Sequence, residues 1–82
     1  MTNMMYSTKA SAIAHVNGMV ASGSVTTETD ENGYVWIHPG TLSSRCQDSV
    51  YSNSLASAVE AFAIDRARFV GFDWAFELDD RK

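Results

Sequence analysis

The sequence predicts a small α+β domain, with a three-stranded, mostly antiparallel sheet and two helices packed on one face in the order α-β-β-α-β. Three observations support this fold class: two segments with apolar residues at helical spacing, an Asn-Gly turn between two strand-like runs, and a C-terminal run in which large apolar residues occupy every second position. Because 82 residues can hold one hydrophobic core and not two, we expect a single domain over residues 1–82.

Two segments carry apolar residues at the spacing of an amphipathic helix. The first, residues 7–22, begins at Ser7, a suitable N-cap, and ends before Gly23, a common C-terminal stop. In the second, residues 54–67, an apolar stripe falls at positions i, i+3, i+4 and i+7: Leu55, Ala58, Val59 and Phe62. We therefore predict two helices, one before and one after a strand-forming segment of the sequence.

Residues 24–39 predict a β-hairpin, because the turn sequence Asp-Glu-Asn-Gly separates a Thr-rich run from Tyr-Val-Trp-Ile. A two-residue turn would pair Glu31 with Tyr34 and would mix carboxylates with core candidates on one face. A three-residue loop with Gly33 in the left-handed conformation pairs Asp30 with Tyr34 instead. We prefer this second register, because one face of the sheet must be buried. It places Val25, Val35 and Ile37 on one face and Glu28, Asp30, Tyr34, Trp36 and His38 on the other.

Residues 68–79 predict the third strand. Large apolar side chains alternate there with small or acidic ones, at the period of two that is typical of a half-buried strand: Val70, Phe72, Trp74, Phe76 and Leu78. The opposite face would carry Asp73, Glu77 and Asp79. The polar segment 41–53 is long for a loop in a compact domain, so we expect some ordered structure in it, such as a short strand.

Charge narrows the possible partners. The chain has ten acidic and six basic residues, a formal net charge of −4, and no Lys or Arg between positions 10 and 44. Direct nucleic-acid binding needs clustered Lys and Arg, so we expect none, and we expect no docking on an anionic membrane. No apolar run approaches the ~18 residues of a membrane span, and no signal peptide is evident. A basic protein or nucleoprotein complex is the expected partner.

Two acidic groups are the candidate partner-binding sites. One lies on the hairpin, where Tyr34 and Trp36 add the aromatic character of interface anchors. The other lies along the predicted last strand. The full set is Glu28, Asp30, Glu31, Tyr34, Trp36, Asp73, Glu77 and Asp79. The alternatives are that these acids are ordinary solvated residues on the wet face of a sheet, and that Trp36 belongs to the core.

No motif indicates an enzyme. The sequence contains no glycine-rich phosphate loop, no nucleophile elbow and no zinc-ligand spacing, so we expect no cofactor and no metal. Cys46 with His38 is the one candidate nucleophile–base pair, and we rank it last, because no motif marks an oxyanion site or a pocket beside it.

In general character the chain resembles the anti-CRISPR proteins of phages and mobile elements. The residues behind the resemblance are acidic: Glu28, Asp30, Glu31, Asp73, Glu77, Asp79 and Asp80. The resemblance covers size, charge and lack of a cofactor along the whole chain and includes no motif. It implies a non-enzymatic inhibitor, in the cytoplasm of a host cell, that docks on a basic, nucleic-acid-handling protein complex. The alternative is a homodimeric structural or assembly protein of a phage or bacterium.

Overall fold

A computed structural model of the chain describes residues 2–40 and 47–77. A short 3₁₀ helix, Thr2–Tyr6, precedes the regular elements. These are α1 (Lys9–Ser22), β1 (Thr26–Thr29), β2 (Val35–His38), β3 (Val50–Ser52), α2 (Leu55–Val70) and α3 (Asp73–Glu77).

The three strands form an antiparallel sheet in the order β1-β2-β3, and the helices pack against it. The predicted α+β class is therefore confirmed. The α2 helix lies on β2 and β3, and α1 packs against α2. Alanines line the buried side of α2 and allow close approach of helix and sheet: Ala58, Ala63 and Ala67. Between the layers, Phe62 and Val59 meet Ile37 and Val16 in the core.

The hairpin adopts the preferred register. Glu28 lies opposite Trp36, and the Asp30 backbone N–H donates to the Tyr34 carbonyl at 2.9 Å. Gly33 has a φ of 88°, the left-handed conformation that a bulged three-residue loop requires. The inner face, with Val25 and Ile37 buried, faces the helices. The acidic and aromatic residues consequently face away from them.

Both predicted helices are present, with shifted ends. The N-cap of α1 is Thr8 rather than Ser7: its hydroxyl accepts from the Ser11 backbone N–H at 3.1 Å, and the Ser11 hydroxyl accepts from the Thr8 N–H in return. Gly23 ends the helix as predicted. Ser54, which with Asn53 is one of the two capping residues that the sequence allows, caps α2, and α2 continues three residues beyond position 67, to Val70.

The prediction of a strand over residues 68–79 is wrong. Arg68 to Val70 form the last turn of α2, Gly71 ends that helix with a φ of 95°, and Asp73–Glu77 form α3. The third strand is β3, inside the polar segment 41–53 that was expected to hold ordered structure, so it precedes α2 in the chain. Residues 78 and 79 lie outside the described residues.

Tertiary contacts explain why the alternating pattern does not form a strand. The Trp74 indole Nε1 donates to the Tyr6 carbonyl at 2.8 Å, and Arg68 Nε donates to the Ala75 carbonyl at 3.0 Å. These two bonds anchor α3 to the N-terminal 3₁₀ helix and to the end of α2. Ala75 is buried, whereas Phe76 remains half exposed. The four described residues of the alternating set, Val70, Phe72, Trp74 and Phe76, therefore do not share one buried face.

Candidate functional site

The candidate site is the sheet face that points away from the helices, called the outer face below. Strand alternation places Glu28, Trp36 and His38 there from the hairpin. The third strand adds Tyr51, which pairs with Trp36, and the residue before that strand, Ser49, falls next to His38. Tyr51 and Ser49 were not predicted as site residues. The alternation Ser-Val-Tyr-Ser at positions 49–52 is the sequence signal that could have identified them.

Three aromatic rings form a cluster on the outer face. The Trp36 and Tyr51 rings stack with centroids 4.7 Å apart and planes 23° apart. Tyr34 meets Tyr51 edge-on, at 5.5 Å and 79°. Tyr34 is 42% exposed and Tyr51 55% exposed, while Trp36 is half-buried. Trp36 is therefore a member of a surface cluster and not of the core between sheet and helices.

Asp30 organises the turn beside this cluster. One carboxylate oxygen accepts from the backbone N–H groups of Asn32 and Tyr34, at 2.9 and 3.0 Å. The other oxygen accepts from the Trp36 indole N–H at 2.9 Å. Bonds to an ionised acceptor are stronger than neutral ones, so Asp30 couples the loop conformation to the orientation of the indole ring. This predicted partner-binding residue thus has a structural role as well.

His38, on β2, links β1 to the residue that precedes β3. Its Nε2 lies 2.7 Å from Glu28 Oε1, its Nδ1 lies 2.8 Å from Ser49 Oγ, and its side chain has no exposed surface. Because an ionised carboxylate only accepts, Nε2 carries the proton. In the neutral ring Nδ1 then accepts from the Ser49 hydroxyl.

The hydrogen bonds connect the Glu28 carboxylate, the His38 imidazole and the Ser49 hydroxyl in that order, which is also the order of groups in a nucleophilic triad. Two observations favour a structural role. The imidazole is entirely covered, and neither His38 nor Ser49 lines either of the two recesses described below. The sequence-based pairing of His38 with Cys46 involves a residue outside the described segments.

An open polar recess of about 470 Å³ lies at the tip of the hairpin. Three carboxylates line it, together with Thr29 and Asn32: Glu28, Asp30 and Glu31. Within residues 2–40 and 47–77, no group of three or more His, Cys, Asp or Glu side chains has the arrangement of a metal site. Such a recess suits the cationic end of a partner's Lys or Arg side chain.

The second predicted acidic group does not join the outer face. Asp73 and Glu77 lie on α3, which packs against α2 in the helical layer. The regular 6.6 Å spacing expected of alternate strand positions does not apply to them, because that segment is helical. Asp79 lies outside the described residues.

Among the described residues, basic side chains lie only on the helical side of the structure, whereas acidic side chains lie on both sides. The described Lys and Arg residues all lie on helices: Lys9, Arg66 and Arg68. Lys9 pairs with Glu60 at 2.7 Å. On the sheet side, Glu31 in the hairpin loop and Asp48 in the turn before β3 are exposed. The described part of this face therefore combines carboxylates with exposed tyrosines.

Taken together, fold and site define a small α+β protein whose open antiparallel sheet is covered by helices on one face. Searches for similarity found no match to this chain among protein-family models, curated protein sequences or solved structures. None of the helices in the described part of the chain has the length and apolar character needed to cross a membrane.

Proposed function

We propose that this protein is a non-enzymatic inhibitor that acts in the cytoplasm of a host cell, as an anti-CRISPR protein does. It would dock its outer face on a basic, nucleic-acid-handling protein complex. The observation that carries the proposal is the exposed Tyr34–Tyr51 pair on the outer face, with the exposed carboxylates of Glu31 and Asp48 in the turns that flank the sheet. Large aromatic residues beside polar groups are typical of the residues that dominate binding energy at protein interfaces.

The two kinds of residue have separate roles in this proposal. Glu31 and Asp48, being exposed, would steer a basic partner toward the sheet and so would raise the association rate. Tyr34 and Tyr51 would be buried in the complex and would slow its dissociation. The Lys and Arg residues of α1 and α2 belong to the helical layer on the opposite side of the sheet and would not repel the partner.

The test begins with capture of the partner complex from a host lysate on immobilised protein, at low and at high salt. The captured complex is then purified, and its binding is measured by surface plasmon resonance. Reversing both charges, with Glu31→Lys and Asp48→Lys, should lower the association rate at least tenfold at low salt. Tyr51→Ala should mainly raise the dissociation rate.

A matched control changes the same number of charges on another surface. Asp73→Lys with Glu77→Lys alters α3, and it should leave the association rate close to that of the unmodified protein. Equal effects of the two double variants would indicate a dependence on net charge alone and would contradict docking through the outer face. Competition between this protein and nucleic acid for the captured complex tests the inhibitory role directly.

The alternative is a homodimeric structural or assembly protein, and one observation favours it. Phe69 at the end of α2 is 82% exposed, and Phe76 on α3 is 50% exposed. Exposed apolar surface of this kind is often covered by self-association. Size-exclusion chromatography with light scattering should then show a dimer that Phe69→Ser and Phe76→Ser together convert to a monomer. A monomer at all concentrations tested would eliminate this alternative.

A further inference from the structure

A second recess, of about 130 Å³, lies on the helical side of the sheet. Apolar side chains from several parts of the chain form most of its wall: Tyr6, Met19, Val25, Pro39 and Phe62. Ser24 and Arg66 supply the polar part. Cavities of about 150 Å³ with apolar walls accept a benzene-sized molecule, so this space suits a small organic molecule rather than a single water.

Arg66 gives the recess a charge preference. Its guanidinium carbon lies 5.8 Å from the centre of the Phe62 ring and 5.7 Å from that of Phe69. Among the described residues, no carboxylate lies within ion-pair distance of this guanidinium, in contrast to Lys9, which pairs with Glu60. A guanidinium next to aromatic rings retains donors in a planar fork that matches a carboxylate.

From these observations we propose that the recess binds a small organic monocarboxylate, with the carboxylate on Arg66 and the apolar part against Met19 and Pro39, the apolar lining residues that are only partly buried. The site is formed at the junction of the 3₁₀ helix, the end of α1, the start of β1 and α2. It is separate from the outer face, so it is independent of the proposed inhibitory function. A ligand of this size should bind with a dissociation constant in roughly the millimolar to sub-millimolar range.

The test is a two-dimensional amide NMR titration of the whole protein at constant ionic strength, with benzoate as the probe and benzamide as its neutral analogue. Benzoate should shift the amide signals of Ser24, Val25 and Gly40, which border the recess. Benzamide should bind at least about tenfold more weakly, because it lacks the charge that pairs with the guanidinium.

Substitutions test whether Arg66 is the residue that binds the carboxylate of the ligand. Arg66→Gln should weaken benzoate binding at least about tenfold, whereas Lys9→Gln, which removes an exposed and ion-paired charge, should leave it unchanged. Tyr51→Ala, on the outer face, should also bind benzoate normally. Equal affinity for benzoate and benzamide in the unmodified protein would overturn the proposal, and this comparison does not depend on whether any variant folds. Equal losses of benzoate affinity in the Arg66 and Lys9 variants would overturn the proposal as well.

Discussion

Asp30→Ala is the most informative single substitution in the hairpin. It removes three hydrogen-bond acceptor contacts at once: those to the backbone N–H groups of Asn32 and Tyr34 and to the Trp36 indole. The two backbone donors lie in an exposed loop, where water can replace the carboxylate. The indole N–H belongs to a half-buried ring and is less easily solvated.

The size of the effect follows from these differences. A hydrogen bond to a charged group contributes about 1.5–3 kcal/mol, and the two solvent-accessible bonds should contribute about 0.5 kcal/mol each. We therefore expect Asp30→Ala to lower the free energy of unfolding by about 3 kcal/mol. Because a domain of this size has a total stability on the order of 4–12 kcal/mol, the loss should be obvious in urea unfolding followed by far-ultraviolet circular dichroism.

A double-mutant cycle isolates the indole bond. Trp36→Phe removes the indole N–H while keeping an aromatic ring next to Tyr51. The stability lost through this substitution should largely disappear when Asp30→Ala is already present, which corresponds to a coupling energy between the two residues of about 1.5 kcal/mol. Glu31→Ala, one position along the loop, is the control and should change stability little. If Asp30→Ala costs no more than this control, or if the two cycle substitutions are additive, the proposed organising role is wrong.

Three further predictions concern the fold. His38→Ala should lower the free energy of unfolding by about 3 kcal/mol in urea unfolding, because it opens a cavity under a fully buried side chain and removes two hydrogen bonds. A loss as small as that of His15→Ala would contradict the bridging role. Gly71→Ala should lower the free energy of unfolding by about 1 kcal/mol, since the φ of Gly71 is 95°. Gly18→Ala inside α1 should instead raise the free energy of unfolding by about 0.5–1 kcal/mol, because a Cβ there meets no atom within 4 Å. The two melting temperatures should therefore move in opposite directions, and shifts of the same sign would contradict this. Trp74→Phe should cost about 1 kcal/mol and should speed amide hydrogen exchange in α3, while unchanged exchange would show that the bond to Tyr6 does not anchor that helix.

Much of the fold could be predicted from local patterns. The helix over residues 54–67 and the stop at Gly23 depend on interactions within a few residues. Both are present, with Ala58, Val59 and Phe62 of the predicted stripe buried and Leu55 exposed. The hairpin register was also predictable, because Gly33 can adopt a positive φ at little cost and only one register separates apolar from charged side chains. The aromatic and acidic character of the outer face follows from that register.

The C-terminal segment could not be predicted in this way. A period of two in the sequence is compatible with a strand, but a strand also needs a neighbouring edge with which to form backbone hydrogen bonds. In the folded chain β3 occupies the place beside β2, and Gly71 ends α2 before the short α3 begins. Trp74 then bonds to the carbonyl of Tyr6, 68 positions away, a contact that no local pattern records.

By itself, then, the sequence determined the two main helices, the hairpin and the side of the sheet on which its carboxylates lie, because each depends on near neighbours and on the alternation of strand side chains. Only the tertiary structure decided which segment became the third strand and where Asp73 and Glu77 lie. It also brought Tyr51 and Ser49 to the outer face and Arg66 to its recess. These outcomes depend on contacts between residues far apart in the chain, whose energies appear only when the layers pack together.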